Sequence, residues 1–169
     1  MHPESGLSKA FLTDHDLAGM PWEYCRIHAL AVTDDEGPPD DLSPEEFLEQ
    51  DDLDDTAPSA LRLLLDLDYI VRRIVPAPMR DHRFWVAPAT LIFHNVLAIS
   101  GSLSSVSLPL ELEGLTREGG DWHLKARDMD LRFAALGHSL VVRKAPRYGA
   151  RVLRMAERGG ITFDTRPFA

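Results

Sequence analysis

The chain has 169 residues, 44% of them hydrophobic, enough to bury one substantial core but not two independent ones. Its 27 acids exceed its 18 bases, for a formal net charge of −9, which argues against a general nucleic-acid binder and against a protein held on anionic lipid. Cys25 is the only cysteine, so an intramolecular disulfide framework is impossible, a cysteine-built zinc site is disfavoured, and a reducing cytoplasmic setting is expected.

The N-terminal residues lack a basic start followed by an apolar run, and the richest apolar stretch, residues 60–75, is broken by charges. Neither a secretory leader nor a membrane span is expected. Arginine exceeds lysine by 15 to 3 and Asn95 is the sole asparagine, a bias typical of a GC-rich bacterial genome.

Residues 22–32 alternate, with Cys25, Ile27, Ala29 and Ala31 on one parity, and predict a strand. Residues 34–55 then hold twelve acids and no base: Asp34, Asp35, Glu36, Asp40, Asp41, Glu45, Glu46, Glu49, Asp51, Asp52, Asp54 and Asp55. Within them Ser43, Pro44 and Glu46 form a helix-start signature, predicting a mobile, partly helical acidic excursion.

From 61 onward strand follows strand. Leu63, Leu65, Leu67, Tyr69 and Val71 share one parity, while Asp66 and Asp68 interrupt the other. A turn is expected over 76–81. The segment 82–100 returns as a long apolar stretch that Pro88 is expected to divide, with Leu91–Ile99 at the centre of the sheet.

Val106, Leu108, Leu110 and Leu112 read as a strand wet on one face, with Pro109 marking an edge or bulge. A hairpin follows, with Trp122, Leu124 and Ala126, then Leu131, Phe133 and Ala135, turned inward. Gly137-His138 reads as a further turn. In the tail, Val152, Leu153 and Ala156 have helical spacing with Gly159 as the C-cap, and Ile161–Ala169 reads as one more short strand. On such a helix Arg147, Arg151, Arg154 and Arg158 would form one cationic stripe. The fold class expected is α+β: a single domain over 1–169, built on a twisted, mostly antiparallel sheet of six to eight strands with a few short helices.

The segments LDLDYIVRRIV, FWVAPATLIFHNV, WHLKARDMDLRFAALGHSLVVRKAP and ERGGITF together resemble a group of small bacterial proteins. In these a strand of the form FW-x-x-PATL-x-F-x-x-V precedes a β-meander. Some of that group are similar to immunity proteins of polymorphic toxin systems, which bind and silence a cognate toxin. The resemblance spans about residues 61–165 and brings no catalytic residue.

Asp66 and Asp68 would share a strand face, a spacing suited to acid/base work or a hard cation, or else to a solvated face paired with Arg72, Arg83 or Arg132. The histidines at 2, 15, 28, 82, 94, 123 and 138 stand singly, and the Cys25/His28 spacing supplies two ligands where a tetrahedral metal needs four. A Cys25, His94, Asn95 grouping would resemble a cysteine hydrolase, without the sequence signature around the thiol.

No metal and no cofactor are expected. The reading reached from sequence is a non-catalytic cytoplasmic binding protein of the immunity type, whose twelve acids contact a basic toxin domain rather than nucleic acid or membrane. One alternative is a small ligand-binding or hydrolase-like protein with a pocket at Asp66, Asp68 and His94. The other is a housekeeping protein that forms a homo-oligomer through a strand edge.

Overall fold

The computed structural model describes residues 3–34, 61–74, 83–104 and 107–169. The acidic positions after Asp34, the turn at 76–81 and the capping signature at Ser43 lie outside the described residues.

In chain order the strands are β1 (Phe11–Leu12), β2 (Arg26–Asp34), β3 (Leu61–Ile74), β4 (Arg83–His94), β5 (Leu97–Leu103) and β6 (Leu110–Glu118). They continue with β7 (Asp121–Ala126), β8 (Met129–Ala134), β9 (Gly137–Val142) and β10 (Arg147–Gly149). A 3-10 turn at Pro3–Ser5 and one helix, α1 (Met155–Arg158), complete the described elements. All pairings are antiparallel, in the order β1-β9-β4-β3-β2-β6-β7-β8-β5, with β10 pairing the first half of β4 on the same edge as β9.

The fold is therefore all-β, which corrects the α+β expectation. That expectation rests on helices in the tail and in the acidic excursion. In the tail, Arg147–Gly149 is recruited as β10, and Gly159 takes the left-handed conformation (φ 81°) that ends α1 after four residues. Too little chain remains between them for a helix that could form a layer. Gly159 does cap the helix as its spacing predicts, but the four arginines do not share a helix face, since Arg147 belongs to β10 and Arg158 is buried. Residues 161–169 form no strand.

β3 and β4 make the middle of the sheet because both faces of each are covered. On the inner face Leu63, Leu65, Leu67 and Tyr69 meet Ala87, Ala89, Leu91 and Phe93 in one core with Leu140, Trp122 and Leu124. Each fully buried leucine there contributes about 1.5–3 kcal/mol. The sheet curls enough to bring β7 and β8 against β4: the Phe93 ring lies 5.2 Å from Trp122 and 4.8 Å from Phe133, both edge-on. On the outer face Leu64, Ile92 and Val141 form a smaller patch under Phe163, and Phe84 and Val86 another under Leu153. The tail thus serves as a cover.

Pro88 does not divide β4. A strand residue's nitrogen and carbonyl point to the same side, and the Pro88 carbonyl accepts from Arg143 N (2.9 Å) just past the end of β9. The missing donor therefore falls outside the β3–β4 ladder. The break between β4 and β5 comes at Asn95, which takes a left-handed φ of 54° that asparagine tolerates. Likewise Gly137 opens β9 instead of sitting in a turn.

Candidate functional site

Alternation along β3 puts Leu64, Asp66 and Asp68 on the outer face, where both carboxylates are fully buried. This corrects the solvated-face expectation, and their partners are not Arg72, Arg83 or Arg132. Arg158, at the end of α1, donates to Asp66 from Nη2 to Oδ1 (2.7 Å) and from Nη1 to Oδ2 (2.9 Å), and from Nε to Asp68 Oδ1 (3.1 Å). Arg143, one residue beyond β9, donates from Nη2 to Asp66 Oδ1 at 2.7 Å.

A bulge in β2 between Ile27 and Ala29 re-aims the extra residue, His28, whose Nε2 lies 3.0 Å from Asp68 Oδ2. Backbone amides complete the shell, Thr162 N donating to Asp66 (3.0 Å) and Leu153 N to Asp68 (3.4 Å). Thr90 Oγ1 donates to the Asp164 carbonyl (2.7 Å), and Arg143 Nη1 to that of Thr162 (2.9 Å). Residues 153–164 are thereby strapped to β3 and β4 by charge-assisted bonds.

Burial on its own would raise the Asp66 carboxyl. The bonds and charges of Arg158 and Arg143 overcome that and hold it below the ordinary carboxylate value, while Asp66 and Asp68 raise Arg158 against its own burial. Two carboxylates meeting two guanidiniums have their lone pairs committed to the strap. The arrangement stabilises a covering segment and leaves neither oxygen pair free for proton transfer.

The pocket suggested for Asp66, Asp68 and His94 is not formed. Thr90 is the residue of β4 facing Asp66; His94 stands four positions further along, about 13 Å away at strand spacing. Its Nε2 lies 2.9 Å from Ser139 Oγ. Clefts of the described residues lie elsewhere, one of about 750 Å³ along Thr116, Asp121, His123 and Arg132, another of about 560 Å³ between Tyr24, Arg73, Phe84 and Arg151. Cys25 is buried in the core and does not join His94 and Asn95. Burial, with the Asp68 charge nearby, pushes its thiol up to about 11, the reverse of an activated nucleophile.

A second cluster escaped the sequence reading. His138 on β9 hydrogen-bonds through Nδ1 to Asp14 Oδ1, and Arg117 Nη1 donates to Asp14 Oδ2 at 2.8 Å. The Arg117 guanidinium lies 4.7 Å over the Trp122 ring, and that ring meets His138 edge-on at 4.6 Å. Burial lowers the His138 pKa even though Asp14 opposes the shift. No sequence spacing announces this group, whose members come from four separate segments.

Of the twelve acids in 34–55, Asp34 is described: it is exposed at the end of β2, paired with Leu61 at the start of β3. The other eleven lie outside the described residues, on the connection leaving that end of the hairpin. At the opposite end, Arg73 pairs with Phe84 and Ile74 with Arg83, while Arg147 on β10 pairs with Val86. β3 therefore starts beside Asp34 of β2 and finishes beside Arg83 of β4.

Among the described residues no group of three or more His, Cys, Asp or Glu is placed to hold a metal ion, and no helix is long and apolar enough to cross a membrane. Comparison of the chain with protein-family models, with curated proteins and with solved structures finds no match.

Proposed function

We propose that this chain is a non-catalytic cytoplasmic binding protein that neutralises a basic partner protein by direct contact, as an immunity protein does its toxin. The observation that carries this reading is the concentration of charge: a twelve-acid, base-free stretch begins at Asp34, where β2 ends beside Leu61 of β3. Asp66 and Asp68, the two fully buried carboxylates of the described chain, are ion-paired with Arg158 and hold the fold. So many carboxylates in so short a stretch attract and orient a basic cleft, and accelerate its capture at low salt.

The test is capture of a basic partner from the native host, followed by measurement of its affinity for the purified chain. Affinity is expected to fall with rising salt and with replacement of Asp51, Asp52, Asp54 and Asp55 by asparagine. Binding unchanged by those four replacements would remove the acidic contact from the reading.

A further inference from the structure

Tyr24 stands in the loop that enters β2, at a left-handed φ of 72°. That region is unfavourable for a bulky aromatic residue, and such strain persists only where the surroundings impose it. Here β6 imposes it: Tyr24 N donates to the Leu112 carbonyl at 2.9 Å, and Leu112 N donates to the Cys25 carbonyl at 2.8 Å. The Tyr24 side chain is thereby held out of the core, 42% exposed, while Cys25 beside it is fully buried.

That side chain is part of the wall of the 560 Å³ cleft, which is lined by Tyr24, Arg73, Phe84, Ala150, Arg151 and Val152. Register explains how residues so far apart meet there. Arg73 of β3 and Gly149 of β10 both pair with Phe84 of β4, so the residues after Gly149 leave the sheet from the same row as Arg73. Two guanidiniums lie over aromatic rings, Arg151 at 5.3 Å from the Tyr24 ring and Arg73 at 6.0 Å from that of Phe84. No carboxylate is among the described lining residues. Glu111, outside that lining, is shared by Arg26 at 3.4 Å and Arg151 at 3.7 Å, the second beyond hydrogen-bond length.

We propose that this cleft binds a planar aromatic anion, a ring bearing a carboxylate or phosphate group, with the anionic group held by Arg151 and Arg73 and the ring packed on Tyr24 and Val152. Stacking on Tyr24 engages the face of the Arg151 guanidinium. Its N–H edge, which grips an oxyanion as a fork, keeps only the loose Glu111 contact. Arg73 adds a second positive charge to the same cleft. In a chain of net −9, walls of this sign are what admit an anion. The exposed Tyr24 ring and Val152, itself 40% exposed, give a flat apolar surface that a bare ion cannot use, and the volume is that of a small-molecule site. Such binding stands whether or not the acidic stretch contacts a partner protein.

Amide chemical-shift mapping of the isotope-labelled full chain tests this, with phenyl phosphate, benzoate, inorganic phosphate and benzyl alcohol as probes. Phenyl phosphate, benzoate or both should give saturable shifts clustered on residues 24, 73, 84 and 150–152, with a dissociation constant of about 1 mM or lower. Comparing the two shows which anionic group the arginines prefer. Inorganic phosphate and benzyl alcohol, each carrying half of the recognised chemistry, should bind about tenfold more weakly or worse. Arg151→Gln and, independently, Tyr24→Asn should each weaken binding of the aromatic anion about tenfold or more. Asparagine tolerates the left-handed backbone, so the second variant loses the ring and keeps the fold, which unchanged core amide shifts would show. The proposal is overturned by the absence of saturable shifts at those residues with both aromatic anions, by either half binding as tightly as the whole, or by an affinity that either substitution leaves unchanged in folded protein.

Discussion

Arg158 and Asp66 face each other across 92 residues of sequence in a fully buried, two-bonded pair, Nη2 to Oδ1 at 2.7 Å and Nη1 to Oδ2 at 2.9 Å. Burying two such ions gains little over apolar packing, but removing one strands the other. Arg158→Met is therefore expected to cost about 3–5 kcal/mol, read as a lower urea midpoint. Arg158→Lys should recover only part of the loss, because a lysine offers one ammonium where the guanidinium contacts both Asp66 oxygens and Asp68.

Acid should unfold the protein through the same group. The Asp66 carboxyl is held below its ordinary value in the folded state. Its contribution is fully present above the unfolded value of about 3.9 and is lost as pH falls through the folded one. Denaturant titrations between neutral pH and pH 3 should show stability dropping steeply at the acid end, and the drop should be shallower in Asp66→Asn measured against its own neutral stability.

His138 adds a separate, milder dependence. Its folded pKa is lowered by burial, so below about pH 6.5 the unfolded chain takes up a proton more readily than the folded one. Stability should decline as pH drops from 7 toward 5, before the carboxylates titrate, and His138→Gln should flatten that interval. Thermal midpoints measured across it provide the check.

The thiol of Cys25 is buried, and its pKa of about 11 leaves almost no thiolate at neutral pH. A thiol reagent should therefore label it only through unfolding. The labelling rate should follow the denaturant dependence of global opening and not the reagent's intrinsic reactivity.

Gly101 of β5 pairs with Leu131 of β8. A Cβ there would stand 1.9 Å from the Asp130 carbonyl oxygen, at a φ of 145° that side chains rarely adopt. Gly101→Ala should cost about 1–3 kcal/mol and release β5 locally. In hydrogen exchange, amides of residues 97–103 and 129–134 should lose protection while those of β3 and β4 keep theirs.

Much of the sheet was legible because parity is a local signal. Leu63 to Tyr69, Trp122 to Ala126 and the inward Phe133 and Ala135 needed only the alternation of a pleated chain. The hairpin turn at Asp128 sits where that parity changes.

What the sequence withheld was pairing at a distance. Asp66 and Asp68 were visible as an unusual pair, but Arg143 and Arg158 stand 77 and 92 residues from Asp66, and no spacing rule links them. Arginines at helical intervals in the tail suggested a stripe, yet tertiary demand overrode that period: β4 recruited Arg147, and the buried carboxylates recruited Arg158. Pro88 misled because the sign of its effect depends on which neighbour its nitrogen faces, which is known only once β9 is placed. The Asp14–His138–Arg117 group left no trace at all, since each member is an ordinary surface residue until the curl of the sheet assembles them.

The separation of Asp66 from Arg158 also sets an order of events during synthesis. β3 leaves the ribosome many residues ahead of the guanidiniums that balance it, so a nascent β2–β3–β4 unit carries two uncompensated carboxylates on a face destined for the interior. Arg143 and then Arg158 reach that face only after β9 and the tail have emerged, and the last layer closes late, as the long loop closures of high-contact-order folds require.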